Sequence, residues 1–562
     1  MTKMSGAKAV EESLIREGTK VIFGIPGGST LPLYDVLYDS KIRHILAHHE
    51  QCAAHMADGY SRASGTPGVC LATSGPGATN LVTGVATANI DSSPIIALTG
   101  QVTTPVIGKD GFQEADIVGI MTPVTKYCVQ LRDPSEIPNS FRKAFYIATT
   151  GRPGPVLIDL PKDVLVKEAE MNFEAEIEIR GYKPKTDPHP VQVKRASEML
   201  INAERPMMLI GGGAILSGAS EEVLLLAETL MSPVGVTLMG KGVFPETHPL
   251  SVGVVGMHGT TEANRLIVEA DVLLVVGCRF TDRTTGRLDL FCPDAKIIHI
   301  DVDSAEIGKN AKADLPIVAD AKKTLRQIYT QLSDKILKNE RSTWTRRIDE
   351  IRDQFKSKNN NNVEGPFMKP KAILSELRKI LPNNAIVTTE VGQNQSWSGL
   401  YFQALKPRTF ITSGGLGTMG FGFPAALGAK VACPDVPVVD IAGDGSFIMT
   451  EQDLATSVNE QIPVVVVILN NSVLGMVAQW QRLFYNRRYS GIDLKGVPDF
   501  VKLADAYGVN GVRVHSLAEF SGAVTKALQN EITTVIDVPI SPEENVFPMV
   551  PSGSSLKEMM TE

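Results

Sequence analysis

Asp444 and Asn471 each stand just behind a short apolar run. The first run reads Asp440-Ile-Ala-Gly-Asp-Gly-Ser-Phe447 and the second Pro463-Val-Val-Val-Val-Ile-Leu-Asn-Asn471, with a helix-length stretch between them. Short apolar runs of this kind read as buried parallel strands, and the gap fits one crossover helix. Open α/β sheets bind ligands at the carboxyl ends of their strands, so the two side chains are expected next to each other in such a crevice. A carboxylate and a side-chain carbonyl form an all-oxygen pair suited to Mg²⁺, which keeps water and phosphate oxygens as its other ligands. Taken separately, Gly443-Asp444-Gly445 is an ordinary turn and Asn470-Asn471 an ordinary strand-end loop. Together, each behind a buried strand and one crossover apart, they read as a cradle for Mg²⁺ and a diphosphate.

A second group able to do chemistry is Glu50, which closes His44-Ile-Leu-Ala-His-His-Glu50 and opens an alanine-rich helix. The helix dipole favours a carboxylate there whatever its function. In an apolar surround the same group is also placed to share a proton with a cofactor nitrogen. Gly24-Ile-Pro-Gly-Gly28 and Ser74-Gly-Pro-Gly77 follow strand-like runs, and their bare amides suit either an anion or an empty tight turn. Gly211-Gly212-Gly213 follows the buried run Met207–Ile210 and makes the middle of the chain the better candidate for a nucleotide. Gly415-Leu-Gly-Thr-Met-Gly420 matches G-x-G-x-x-G in form. No strong buried strand is expected before it and no ribose-binding acid follows, which argues against a dinucleotide fingerprint. His48, His49 and His55 lack the acidic or cysteine partner of a zinc site.

The elements that must position these groups follow from length and pattern. A chain of 562 residues exceeds one hydrophobic core. Strand-like runs alternate with helical segments throughout, which predicts α/β class with doubly wound parallel sheets. Three such domains are expected, at residues 1–167, 190–332 and 369–550, with a linker at 333–368 and a tail at 551–562. Within the linker, the charged segment Lys335–Lys358 reads as a solvated helix and loop, and the polar tail from Pro551 is expected to lie over the surface. A formal net charge of −7 with no Lys/Arg block argues against nucleic-acid binding. Six cysteines without a C-x-x-C pair fit a reduced, cytoplasmic setting. No membrane span is expected, since no apolar stretch is long enough, and Glu11 and Glu12 do not fit a targeting peptide.

The Gly443-Asp444-Gly445 and Asn470-Asn471 pattern resembles the signature of thiamine-diphosphate (ThDP) enzymes. End to end, from Val21-Ile-Phe-Gly-Ile-Pro-Gly-Gly28 to Phe547-Pro-Met-Val-Pro551, the chain resembles the biosynthetic acetohydroxyacid synthase (acetolactate synthase) catalytic subunits. Ala72-Thr-Ser-Gly-Pro-Gly-Ala-Thr-Asn-Leu81, Gly111-Phe-Gln-Glu114, Gly151-Arg-Pro-Gly-Pro155 and Gly414-Gly-Leu-Gly-Thr-Met-Gly-Phe-Gly422 carry the likeness. The most specific stretch is Leu474-Gly-Met-Val-Ala-Gln-Trp-Gln-Arg-Leu-Phe-Tyr485 with Arg488-Tyr-Ser490. It favours the synthases over a pyruvate oxidase or a sulfoacetaldehyde acetyltransferase, which would share Glu50 and the metal pair. A dehydrogenase built on the middle domain would leave that pair idle.

The resemblance implies decarboxylation of pyruvate and its condensation with a second 2-keto acid. The products would be 2-acetolactate or 2-aceto-2-hydroxybutyrate, in the biosynthesis of valine, leucine and isoleucine. It implies ThDP, Mg²⁺ and FAD as cofactors, a homodimer or homotetramer, and a separate small regulatory subunit. The three domains would bind the ThDP pyrimidine, FAD and the ThDP diphosphate in turn. Mg²⁺ would be held by Asp444, Asn471 and the Val473 carbonyl. Glu50, Pro26, Gly27, Asn80, Val391, Gly392, Gln393, Asn394, Gly417, Met419, Gly443, Gly445, Ser446 and Met476 would contact ThDP. FAD would touch Arg152, Gly211, Gly212, Gly213, His258, Gly277, Arg279, Asp301 and Asp320. Phe112, Gln113 and Lys162 would reach the substrate from the opposite chain, and Trp480 would shape the acceptor pocket. The family usually carries histidine at Asn394 and methionine at Ser396. Asparagine donates a hydrogen bond but does not change charge near pH 7, so cofactor affinity or its pH response is expected to differ.

Overall fold

The computed structural model describes residues 2–174, 176–333, 343–356 and 366–561. Its sheet strands are numbered here in chain order through three domains. The first holds β1 (Val21–Gly24), β2 (Arg43–Leu46), β3 (Gly68–Ala72), β4 (Ile95–Gln101), β5 (Tyr127–Gln130) and β6 (Val156–Pro161). The second holds β7 (Pro206–Ile210), β8 (Val234–Val236), β9 (Ser251–Val254), β10 (Val272–Val276), β11 (Lys296–Asp301) and β12 (Leu315–Val318). The third holds β13 (Ile386–Thr389), β14 (Phe410–Thr412), β15 (Val438–Gly443), β16 (Val465–Asn470), β17 (Asn510–Arg513) and β18 (Thr534–Pro539).

All pairings within these sheets are parallel. Helices cover both faces of such sheets, which is why the central strands are continuous runs of Val, Ile and Leu rather than alternating patterns. The expected class, three doubly wound α/β domains, is the observed one. The first sheet runs β2-β1-β3-β4-β6-β5 and the third repeats that order as β14-β13-β15-β16-β18-β17. The second runs β9-β8-β7-β10-β11-β12, the winding of dinucleotide-binding folds. Connections leave in opposite directions at one place in each sheet: between β1 and β3, β7 and β10, and β13 and β15. Those switch points are where ligands bind.

The first and third domains share a hydrophobic core that includes Met56, Ala57, Phe421, Phe423 and Phe447. At its centre the Glu50–Ser64 helix crosses the Gly422–Ala432 helix at backbone contact. A Cβ on Gly59 would collide with the Ala425 carbonyl, and one on Gly428 with the Met56 carbonyl.

Two elements depart from the sequence expectation. The Thr343–Lys356 helix is not solvated all round: Trp344, Ile348 and Ile351 form one buried stripe in the core of the second domain. The Trp344 indole donates to Pro206 O at 2.8 Å. Its dense charge hides a three-residue apolar face. The remainder of the expected linker segment, 334–342 and 357–365, lies outside the described residues. The tail is anchored rather than merely overlying: Leu556 joins the second domain's core, and Met549 and Met560 exchange backbone hydrogen bonds.

Candidate functional site

β15 and β16 are direct neighbours with Gly443 opposite Leu469, so the Gly443-Asp444-Gly445 turn and Asn470-Asn471 emerge together. Asp444 is 2% exposed, and its Oδ2 has no hydrogen-bond partner. Burial pushes its carboxyl up to about 7, against the pull of amides at Gly445, Ser472 and Asn471. A buried carboxylate with a spare oxygen is costly unless a cation or donor completes it. Among the described residues no group of three or more His, Cys, Asp and Glu is placed to hold a metal. A cation here would therefore draw on one carboxylate, amide and backbone oxygens, and ligands brought by a phosphate. The residues fit that ion.

Gln393 holds Asn471 in place: Asn471 Nδ2 donates to Gln393 Oε1 at 3.1 Å, and Gln393 Nε2 donates to Gln479 Oε1 at 2.9 Å. Val473 N donates to Asn471 Oδ1 at 3.3 Å. Gly392, at φ +123°, needs glycine's freedom, and the Asn394 side chain lies 3.7 Å from where its Cβ would point. Asn394 is buried beside the Gly443 turn, donating to Ile441 O at 3.0 Å and accepting from Gln395 N at 2.7 Å. Its amide is thus committed to its own chain.

Sequence reading missed Glu390. This fully buried carboxylate directly follows β13, beside β15 at the switch point. Its Oε2 accepts from Gly420 N at 2.8 Å and from Ser446 Oγ at 2.6 Å, while Oε1 accepts from Phe423 N at 3.0 Å. It therefore ties the Met419-Gly420 turn to the Asp444–Ser446 turn. The signal was present: a charged residue directly closing an apolar strand, as at Asp444. A second miss is Asp91, which accepts from Gly415 N at 2.8 Å and pairs with buried Arg62 at 3.1 Å. No local pattern marks it.

Glu50 opens its helix and is 9% exposed. Asn80 Nδ2 donates to its Oε2 at 2.9 Å, and a Cβ on Gly77 would come within 3.1 Å of its Oε1. Gly27 presses on Thr73 so closely that any side chain there would collide, with Pro26 exposed beside it. Glu50, Asn80 and the Gly27 turn are thus gathered at the carboxyl end of the first sheet. Phe112, 90% exposed, Gln113 at φ +59°, and exposed Lys162 also belong to that domain. No described contact brings them to Asp444 of the same chain.

Above the second sheet's switch point opens a cavity of about 840 Å³, within the range of a nucleotide-sized ligand. Gly212, Gly213 and Gly277 line its floor, and Gly211 backs it, donating to Val276 O at 2.9 Å. A Cβ on Gly277 would come 2.6 Å from Gly213 Cα, so the two strand-end turns close only as glycines. Arg152, His258, Arg279, Asp301 and Asp320 line the walls. His258 Nδ1 is buried without a partner, and burial lowers its pKa to about 4. Burial raises the Asp301 carboxyl to about 6. Asp320 caps the Ala321–Leu332 helix and accepts from Ser217 Oγ at 2.8 Å.

The same cavity reaches Val391, Gly392, Gly417, Met476 and Trp480, so it shares a wall with the Asp444 crevice. Trp480 lines it rather than packing in the core, with the Arg283 guanidinium 6.0 Å from its ring. Half-buried Met419 sits one residue before the Glu390-bound amide. A short buried strand, β14, does precede Gly415–Gly420, against expectation. The glycines lead from it into the Gly422–Ala432 helix.

The chain matches the family models described as thiamine pyrophosphate enzyme N-terminal TPP binding domain over residues 4–120, central domain over 193–328 and C-terminal TPP binding domain over 390–538. It is 52% identical to the probable acetolactate synthase large subunit of Methanocaldococcus jannaschii, over 99% of this chain and 95% of that protein. It is 44% identical to the acetolactate synthase isozyme 3 large subunit of Escherichia coli K12, over 100% of this chain and 99% of that one. With the acetolactate synthase large subunit of Corynebacterium glutamicum it shares 45%, over 98% of this chain and 89% of that one.

Proposed function

The chain belongs to the acetolactate synthase large-subunit family of thiamine pyrophosphate enzymes, and from that membership we propose how its residues divide the work. The reaction is the decarboxylation of pyruvate and its condensation with a second 2-keto acid, pyruvate or 2-ketobutyrate, in branched-chain amino acid synthesis. The observation that carries this reading is the buried, unpartnered Asp444 oxygen beside Asn471 at the third sheet's switch point.

Thiamine diphosphate, when bound, would supply a carbon nucleophile for the keto carbon of pyruvate. Asp444, Asn471 and the Val473 carbonyl would hold Mg²⁺, and Gly443, Gly445 and Ser446 would lie beside the diphosphate. Val391, Gly392, Gln393, Asn394, Gly417 and Met476 form the adjoining wall, and Met419 props the cofactor. Glu50, backed by Asn80, Pro26 and Gly27, would share a proton with a ring nitrogen of the pyrimidine. Asn394 stays neutral and fixes its loop, so this wall does not titrate near pH 7.

Glu50 and Asp444 close different sheets, and Phe112 is an aromatic left 90% exposed in one chain. Both features support a site shared between two copies, with Phe112, Gln113 and Lys162 arriving from the partner. FAD fits the second-domain cavity along Arg152, Gly211–Gly213, His258, Gly277, Arg279, Asp301 and Asp320. Trp480, where that cavity meets the crevice, bounds the acceptor's side chain. Val391, Met476 and Trp480 give the site an apolar side, and a drier surround favours loss of CO₂ because the departing carboxylate spreads its charge. A separate small subunit is the expected partner, since the relatives are named large subunits.

The test is mass spectrometry of the product from pyruvate, with and without 2-ketobutyrate, on protein supplied with ThDP, Mg²⁺ and FAD. Acetolactate, and aceto-hydroxybutyrate when 2-ketobutyrate is present, are expected. Acetyl phosphate or peroxide instead would overturn the reading in favour of an oxidase or acetyltransferase.

A further inference from the structure

We infer that Asp453 of the third domain is a positioning residue for Glu50 of the first domain in the same chain. The inference rests on the reading of Glu50 given above. β2 is the edge strand of the first sheet, so the outer side of the chain entering the Glu50 helix has no neighbouring strand. Third-domain side chains take that place. Glu460 Oε1 accepts from Leu46 N at 3.2 Å, and the Thr456 hydroxyl lies 2.9 Å from Leu46 O. Asp453, 0% exposed, accepts from His48 N at 3.1 Å.

Thr456 binds this strap together: its Oγ1 lies 2.7 Å from Asp453 Oδ1 and 2.8 Å from His48 Nδ1. The other carboxylate oxygen, Asp453 Oδ2, is buried without a hydrogen-bond partner. One buried carboxylate oxygen thus grips the chain two residues before Glu50. Glu50 itself is touched from the other side by Asn80. A carboxylate holding a backbone N–H and a hydroxyl leaves buried donors unpaired when removed, and the strap loses its fixed entry angle into the helix. Asp453 is not a catalytic residue, because nothing places it against the cofactor. It acts through the backbone N–H of His48.

The experiment compares wild type, Asp453→Ala, Asp453→Asn and Glu50→Gln. It reads deuterium exchange at C2 of bound ThDP, the ThDP dissociation constant, and amide exchange of residues 46–52 in cofactor-free protein. Asp453→Ala is expected to slow C2 exchange about tenfold or more while changing ThDP affinity less than about threefold, as loss of one charged hydrogen-bond acceptor implies. The 46–52 amides lose protection even without cofactor. Asp453→Asn recovers most of the loss, since its side-chain carbonyl still accepts from His48 N. C2 exchange within about twofold of wild type in Asp453→Ala, with exchange abolished in Glu50→Gln, overturns the positioning role. Near-native exchange in Glu50→Gln overturns the Glu50 reading instead. Should Asp453→Ala fail to fold, Thr456→Val is held to the same criteria.

Discussion

Replacing Gly59 by alanine sets two effects of known size against each other. In a helix interior alanine is favoured over glycine by about 1 kcal/mol. At Gly59 the added methyl would lie 2.6 Å from Ala425 Cα and 2.7 Å from its carbonyl carbon. Carbon atoms rest at about 3.5–4.0 Å, so the Glu50–Ser64 and Gly422–Ala432 helices must part by roughly 1 Å. The obstacle is backbone and has no rotamer to change. Overpacking of this kind costs about 1–3 kcal/mol. Here it also loosens the reciprocal contact at Gly428 and the His55–Phe421 ring contact at 5.3 Å. The cost therefore wins, and Gly59→Ala is expected to lower stability by about 1–2 kcal/mol. Gly522, in the Leu517–Gln529 helix, has nothing within 4 Å of its missing Cβ and is exposed, so the same substitution there keeps only the gain. Urea unfolding of the two variants beside wild type decides the matter. The midpoint moves down for Gly59→Ala and up for Gly522→Ala. A Gly59→Ala protein as stable as Gly522→Ala would refute the claim that the first and third domains lock through these helices.

Glu390→Gln removes the charge that holds Gly420 N, Ser446 Oγ and Phe423 N, and calorimetric titration should find ThDP affinity reduced about tenfold or more. FAD affinity, read the same way, stays close to wild type because Glu390 does not line the second-domain cavity. His55 is fully buried between the domains, and burial lowers its pKa to about 4. Its depressed pKa means the unfolded chain takes up the proton first, so this contribution to stability is present above about pH 6.5 and is lost as pH falls toward 4. The loss amounts to about 3 kcal/mol. His55→Gln should flatten the pH dependence of the unfolding midpoint across that window. An unchanged slope would show that His55 is not the group responsible.

Groups at strand ends were legible because periodicity and chemistry coincide there. Asp444, Asn471 and Glu50 each close a strand-like run, and the structure puts each at the carboxyl edge of a parallel sheet. The glycine triplet at Gly211–Gly213 was legible for the same reason, and its strand lies at a switch point. What stayed hidden was of two kinds. Trp344, Ile348 and Ile351 form a stripe too narrow to stand out among the charges of the Thr343–Lys356 helix. Asp91 and Asp453 act on residues far away in the chain, on Gly415 and His48, through geometry that no spacing encodes.

The repeated strand order of the first and third domains explains why the two halves of the site differ so much in chemistry. Glu50 follows the second strand of one repeat, and Met419 and Gly420 follow the second strand of the other. The helices that start after them occupy equivalent places and pack on each other. One repeat ends that turn with a buried carboxylate, the other with an amide bonded to Glu390. Function lies in the loops rather than in the scaffold. Because Gly59 and Gly428 bring the paired helices to backbone contact, Glu50 cannot shift against the third domain of its own chain without breaking that lock.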